Sequence, residues 1–188
     1  MKILAILGSP RIKGNTDILL EKLLEAAKEK NLPFKKIVLN ELNIRPCQEC
    51  DGCHNTGKCV ISDDMALLYE ALDNSDRIIV ASPIFFGNVS SQTKIMVDRI
   101  QCFWARKYLL KTSYKKRRRK GIFLACGYFK KEEYFNCASI VIDIFFKMQD
   151  IEFADKFFAA GIGDKGEVLK HPEMITRAYE IGKELIQG

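Results

Sequence analysis

Histidine is scarce in this chain: two residues, His54 and His171, among 188. No Ser-His-Asp set can be assembled around them, and they suggest no acid–base pair, so hydrolytic triad chemistry has no foothold. Long apolar runs are also missing. Nothing approaches the ~18–20 consecutive apolar residues that a membrane-spanning helix needs. Met1 to Gly8 reads as a short core strand entering a turn, not as a leader with an extended apolar stretch and a small-residue cleavage site. A cytoplasmic protein with no membrane association is the expectation. Both common nucleotide fingerprints are absent: there is no Gly-Lys-Ser/Thr ending to a glycine loop and no Gly-x-Gly-x-x-Gly. Excess charge of one sign is small. Much of the formal +6 comes from Lys115–Lys120, and the remainder is close to neutral. That balance excludes a dedicated nucleic-acid binder. The basic run itself reads as a solvated loop or as a steering patch for an acidic electron carrier.

What is present is an ordinary apolar fraction of 47% and an unusual cysteine count of seven. The length and even composition predict one domain over 1–188, with a cysteine-rich loop at 47–59. Apolar runs at Lys2–Leu7, Lys36–Leu39, Arg77–Ala81, Gly121–Cys126 and Glu152–Ala159 read as strands buried on both faces. Amphipathic stretches at 16–30, 62–74, 91–109, 133–147 and 173–186 read as helices. Ser62-Asp63-Asp64 supplies an N-cap and acids for the second of them. Such βα alternation predicts an α/β three-layer sandwich around a parallel sheet. Five strands favour the flavodoxin-like order 2-1-3-4-5.

The loop after the first strand is Gly8-Ser9-Pro10-Arg11-Ile12-Lys13-Gly14-Asn15-Thr16. A strand–loop–helix turn leaves backbone N–H groups free to face an anion. Ser9, Asn15 and Thr16 add neutral donors, Arg11 adds a charged one, and Gly14 permits close backbone approach. The loop suits a terminal phosphate monoester such as that of FMN; otherwise it is a tight turn with Ser and Asn as caps. After the third strand comes Ala81-Ser82-Pro83-Ile84-Phe85-Phe86-Gly87-Asn88. Phe85 and Phe86 offer flat apolar area beside Pro83 and Ile84, and the amides near Gly87 and Asn88 could meet flavin heteroatoms. Both loops leave the carboxyl edge of the sheet, where ligands bind at a switch point. Gly127, after the fourth strand, leaves from the same edge.

Between the second strand and the next helix, Cys47, Cys50, Cys53 and Cys59 follow the spacing C-x2-C-x2-C-x5-C. Three thiols at three-residue intervals with a fourth close by suit an iron–sulfur cluster. Zinc usually takes two separated knuckles, and metal-free thiols or disulfides are the third reading. His54 is a loop residue rather than a ligand. Cys102, Cys126 and Cys137 sit in apolar contexts and read as buried thiols. Phe103, Trp104 and Tyr108 read as core or as interface anchors.

Gly8-Ser9-Pro10-Arg11 followed by Gly14-Asn15-Thr16 resembles the FMN phosphate loop of the NAD(P)H-dependent FMN reductase and iron–sulfur flavoprotein superfamily. Ser82-Pro83-Ile84-Phe85-Phe86-Gly87 with Lys94 and Asp98-Arg99 is similar to its second FMN motif, although the family often has tyrosine where Phe86 stands. The cysteine spacing resembles the compact motif of the iron–sulfur branch, and Asp63-Asp64-Met65 falls in the expected order. The resemblance implies one FMN and one four-iron, four-sulfur cluster per subunit, the cluster close to a flavin of the same or a neighbouring subunit. It also implies a homodimer or homotetramer and electron exchange with a ferredoxin-like carrier. The expected activity is FMN-dependent electron transfer, with oxygen, peroxide or a quinone as small-molecule acceptor. The rival readings are an NAD(P)H-dependent FMN or quinone reductase without a working cluster, and a carrier with no turnover of its own.

Overall fold

A computed structural model describes residues 1–112 and 118–187. Five parallel strands form its sheet: β1 (Ile3–Leu7), β2 (Phe34–Val38), β3 (Arg77–Phe85), β5 (Lys120–Gly127) and β6 (Glu152–Ala160). They lie in the order β2-β1-β3-β5-β6. The expected order 2-1-3-4-5 is corrected by one unforeseen strand, β4 (Asn88–Val89), which pairs antiparallel with the end of β3. The helices are α1 (Asn15–Glu29), α2 (Met65–Asn74), α3 (Ser91–Arg99), α4 (Gln101–Trp104), α5 (Glu132–Lys147) and α6 (Pro172–Gln187).

The period-two alternation of a strand divides the core into two. On β1, Ile3, Ala5 and Leu7 face the layer of α1 and α6, while Leu4 and Ile6 face the layer of α2, α3, α4 and α5. Both sets are wholly or almost wholly buried, so β1 reads as a continuous apolar run; the edge strands β2 and β6, expected to be buried on both faces, are instead mostly half-buried or exposed. No described helix is long and apolar enough to cross a membrane.

Several boundaries differ from expectation. Helix α2 starts at Met65, not Ser62, because the acids before it bond elsewhere. Asp64 accepts the Asn43 amide (2.7 Å), and Asp63 accepts those of Arg45 and Met65. The single helix expected over 91–109 ends at Arg99, restarts as α4 and finishes in a π-helical turn, Ala105–Leu109. The break falls where Arg99 turns its side chain under the cysteine loop. Cys102 and Cys126 are buried as expected, but Cys137 is exposed, on the outer face of α5 with Ile140 and Ile144. Phe103 is core, whereas Tyr108 is exposed and Trp104 lies between the rings of His54 and Tyr108. Lys115 to Arg117 of the basic run lie outside the described residues. Of the remainder, Arg118 is exposed, but Arg119 is buried and donates to the carbonyls of Ser75, Gln149 and Leu72. Arg119 therefore holds strands and helices together at the foot of the sheet rather than offering charge to a partner.

At the other edge, Gly8 closes β1 against the start of α3. The Ser90 hydroxyl donates to the Gly8 carbonyl (2.6 Å), and a Cβ on Gly8 would lie 1.9 Å from Thr93 Oγ1. Gly8→Ala is expected to cost ~1–3 kcal/mol by overpacking a buried polar junction. A lowered urea midpoint at unchanged slope would be the readout, and an unchanged midpoint would contradict the packing.

Candidate functional site

Four connections meet at the carboxyl edge of the sheet. Ser9, Arg11, Gly14, Asn15 and Thr16 from the β1–α1 loop line a cleft of about 210 Å³ with Pro83, Ile84 and Phe85 of β3 and Gly127 at the end of β5. Next to it, Ile84, Phe85, Phe86, Gly87 and Gly127 line a wider chamber of about 480 Å³, shared with Tyr128, Phe129 and Tyr134. The chamber lies within the ~300–1,000 Å³ usual for small-molecule sites. Asn88 belongs to β4 and lies outside both linings; its side-chain oxygen accepts the amide of Val89.

The narrow end is built to take an anion. Helix α1 starts at Asn15, and among the described residues the amides of Asn15, Thr16 and Asp17 meet no protein acceptor. Arg11 and Lys165 bring positive charge to the lining, and the Arg11 guanidinium donates to the Gly163 carbonyl (3.3 Å). Asn15 works differently from the expectation of a phosphate donor. Its side chain donates to the Asp164 carbonyl (2.9 Å) and accepts the Val168 amide (3.2 Å), tying the β1–α1 loop to the loop after β6. Near Thr16, burial pushes the Cys126 thiol up to about 12. Asp17, in the same helical turn, accepts the Lys13 amide and the Lys36 ammonium, so its charge is engaged inside the loop and not presented to the cleft.

The wide end is aromatic and strained. Phe86 is fully exposed and sits at φ +49°, followed by Gly87 at φ +76°. A bulky side chain in the left-handed region is a conformational outlier, and such strain concentrates at functional sites. The supposed loop at 81–85 is an extension of β3. Tyr128 and Phe129 are likewise exposed, and Phe129 meets Tyr128 and Tyr134 edge to face.

A separate cavity of about 30 Å³ is lined by Cys47, Cys50, Cys53 and Cys59, together with Arg99, Gln101 and Cys102. It shares no lining residue with the cleft or the aromatic chamber. Burial, and then the neighbouring thiols of Cys59, Cys47 and Cys50, push the Cys53 thiol upward. Cys102, a fifth thiol that the spacing did not single out, is pushed up to about 11 by burial. Among the described residues no three His, Cys, Asp or Glu side chains converge as the ligands of one ion would. The four cysteines share the lining of one small cavity. His54 lines the same cavity as the thiols and also meets Asp51 and Trp104.

The model of the family described as NADPH-dependent FMN reductase matches residues 1–128. The chain belongs to that family. Relatives of this FMN reductase family member include an iron–sulfur flavoprotein of Methanocaldococcus jannaschii, 39% identical over 99 residues that cover 53% of this chain and 51% of the relative. An iron–sulfur flavoprotein of Methanosarcina thermophila is 36% identical over 111 residues, 59% of this chain and 58% of the relative. The matched stretch thus spans about half the length of these relatives. In fold, the chain is similar to an NAD(P)H:quinone oxidoreductase from Methanothermobacter marburgensis, with a TM-score of 0.70 at 14% identity, covering 98% of each chain.

Within that family framework, the residues at the sheet edge suit FMN by their own chemistry. Free helix amides and two cations lie at the narrow end, and exposed aromatics flank the wide end. Sequence reasoning missed Lys165 and Gly163 in the lining. Gly161-Ile162-Gly163 directly after a strand was the available signal. The same reasoning grouped Arg99 with the second FMN motif, whereas its side chain lies under the cysteine loop.

Proposed function

We propose that this protein is an FMN-dependent electron-transfer oxidoreductase carrying a four-iron, four-sulfur cluster on Cys47, Cys50, Cys53 and Cys59. The observation that carries the reading is the grouping of all four thiols around one small cavity, on a chain whose sheet edge is shaped for a flavin. When bound, FMN supplies two-electron chemistry and a cluster supplies one-electron transfer. The chain's residues bind and orient. The amides of Asn15 to Asp17, Ser9, Thr16, Arg11 and Lys165 hold the phosphate. Pro83 to Gly87 and Gly127 hold the ring, with Tyr128 and Phe129 shielding it from water. The cysteine loop brings its four thiols to the lining of one small cavity, where they would ligate the cluster. The family supports NAD(P)H as a donor; a ferredoxin-like carrier, an oxygen, peroxide or quinone acceptor, and assembly as a homodimer or homotetramer complete the proposal.

The test is the iron and acid-labile sulfide content per flavin of protein purified without oxygen. Comparable amounts of iron and sulfide, about four of each per flavin, support the reading. Flavin without either would leave the NAD(P)H-dependent reductase reading in its place.

Phe86→Gly probes the flavin end. Relief of the left-handed strain, ~1–2 kcal/mol, is offset by the greater unfolded-state freedom of glycine, ~1 kcal/mol, so the melting temperature should change little. Losing the aromatic face should weaken FMN binding roughly tenfold, as for a stacking contact of ~1–1.5 kcal/mol. Unchanged affinity in a flavin titration would remove Phe86 from the site.

A further inference from the structure

Arg99 ends α3 with its side chain completely buried. The guanidinium forms a two-pronged pair with the buried Asp63 carboxylate, Nη1 to Oδ2 at 2.6 Å and Nη2 to Oδ1 at 3.1 Å. Its other contacts all fall on the cysteine loop. Nη1 donates to the Arg45 carbonyl (2.7 Å), two residues before Cys47. Nη2 reaches Cys59 Sγ and the Ile61 carbonyl, both at 3.5 Å. Asp63 adds a second hold on the upstream end by accepting the Arg45 amide (3.0 Å). One ion pair therefore grips both ends of the segment that carries all four cysteines. Nε is buried and has no acceptor among the described residues.

As a device for stability alone this arrangement is poor. A buried ion pair is often no better than an apolar pair of the same volume, because desolvation consumes its Coulomb energy. The pair's value lies in what it fixes. A planar guanidinium can hold a carboxylate, two carbonyls and a sulfur at once, which a lysine ammonium cannot. Hydrogen bonds to sulfur and nearby charge are also among the means by which a protein sets the potential of an iron–sulfur centre.

We propose that Arg99 is a positioning residue for the cysteine site: with Asp63 it clamps the 45–63 loop shut, and through Nη2 it places a cation on Cys59 that favours the more negatively charged, reduced state of a centre bound there. The clamp stands on the geometry alone; the effect on potential rests on the cluster reading above.

Two arms keep the two ideas separable. In metal-free, fully reduced protein, the alkylation rates of Cys53 and Cys126 are compared by mass spectrometry for the parent, Arg99→Lys, and the paired variant Arg99→Met with Asp63→Leu, which strands no buried charge. Both thiols are buried, but Cys126 lies in the other core layer and reports general unfolding. Cys53 should react at least about tenfold faster in both variants through local opening, with Cys126 unchanged. Equal rates in parent and variants, or a parallel rise at both thiols, would overturn the clamp. In anaerobically loaded protein, the cluster's midpoint potential in Arg99→Lys should move to more negative values, with that of the flavin unmoved. An unmoved cluster potential, or loss of its shift into an equal shift of the flavin, would overturn the role of the Cys59 contact. A parent protein without iron or sulfide would refute the cluster reading and the potential effect together, and the alkylation arm would still decide the clamp.

Discussion

Cys50→Ser is expected to strip iron and acid-labile sulfide from protein prepared without oxygen while leaving its flavin in place. Cys50 is exposed, so the substitution removes little packing, and surface changes of this kind usually stay within ~0.5 kcal/mol. Its effect should fall on ligation alone. Cys50 is the middle member of the three-residue spacing, and a hydroxyl is a much weaker ligand for iron than a thiolate. Iron per chain should therefore drop from about four to below one. The flavin cleft shares no lining residue with the cysteine cavity, so FMN content and the far-ultraviolet spectrum should match the parent. Iron retained at the parental level would take Cys50 out of the ligand set. Equal loss of flavin and iron would mean that the two sites are not independent.

That independence is only partial in mechanical terms. Helix α3 begins at the flavin edge, where Ser90 bonds Gly8 and receives the Thr93 amide. It ends at Arg99 under the cysteine loop. Nine helical residues span ~13 Å, so one rigid element carries the packing of the phosphate loop at one end and the clamp of the cysteine loop at the other. Nothing in the spacing of either motif reveals this connection, because it is made by side chains at the two ends of a helix.

The legible part of the fold was the part governed by burial. Strands enclosed on both faces are apolar throughout, so β1, β3 and β5 stand out, whereas the edge strand β6 buries only Ala159 and carries Glu152, Asp155 and Lys156. The amphipathic stripe of α1 likewise marks its place. The extension of β3 through Pro83 was hidden because proline lacks the amide that a ladder uses. Here the cost disappears: pairing with β1 stops at Ala81, and beyond it β3 has only β5 as a parallel neighbour. The flavin-edge residues were legible wherever a glycine or hydroxyl marks a strand exit. Lys165 was not, because its place in the cleft depends on Asn15 tying the β6 loop to the β1 loop across 149 positions. Cys137 misled because its neighbours in sequence are apolar, while helical geometry turns that flank of α5 outward.

Arg99 and Asp63 show the same limit most clearly, and their separation should be costly. In Asp63→Ala the guanidinium stays buried with its carboxylate gone. Breaking a buried pair from one side typically costs ~3–5 kcal/mol, which for a chain of this size lowers the melting temperature by about 6–20 °C. The Arg45 and Met65 amides lose their acceptor in the same step. The loss should depend on pH in a defined direction. Burial by itself would raise the Asp63 carboxyl, but the Arg99 hydrogen bond and the two amides outweigh it and hold it below its ordinary value. A carboxyl depressed in the folded state contributes stability above its unfolded value, about 3.9, and loses it as pH falls through the folded one. The gap between parent and Asp63→Ala should therefore be full at neutral pH and narrow below about pH 4. Combining Asp63→Leu with Arg99→Met should restore most of the melting temperature, since two well-packed apolar side chains can replace a buried pair. A single variant as stable as the parent at pH 7, or a gap that widens in acid, would show that this pair is not what holds the loop in place.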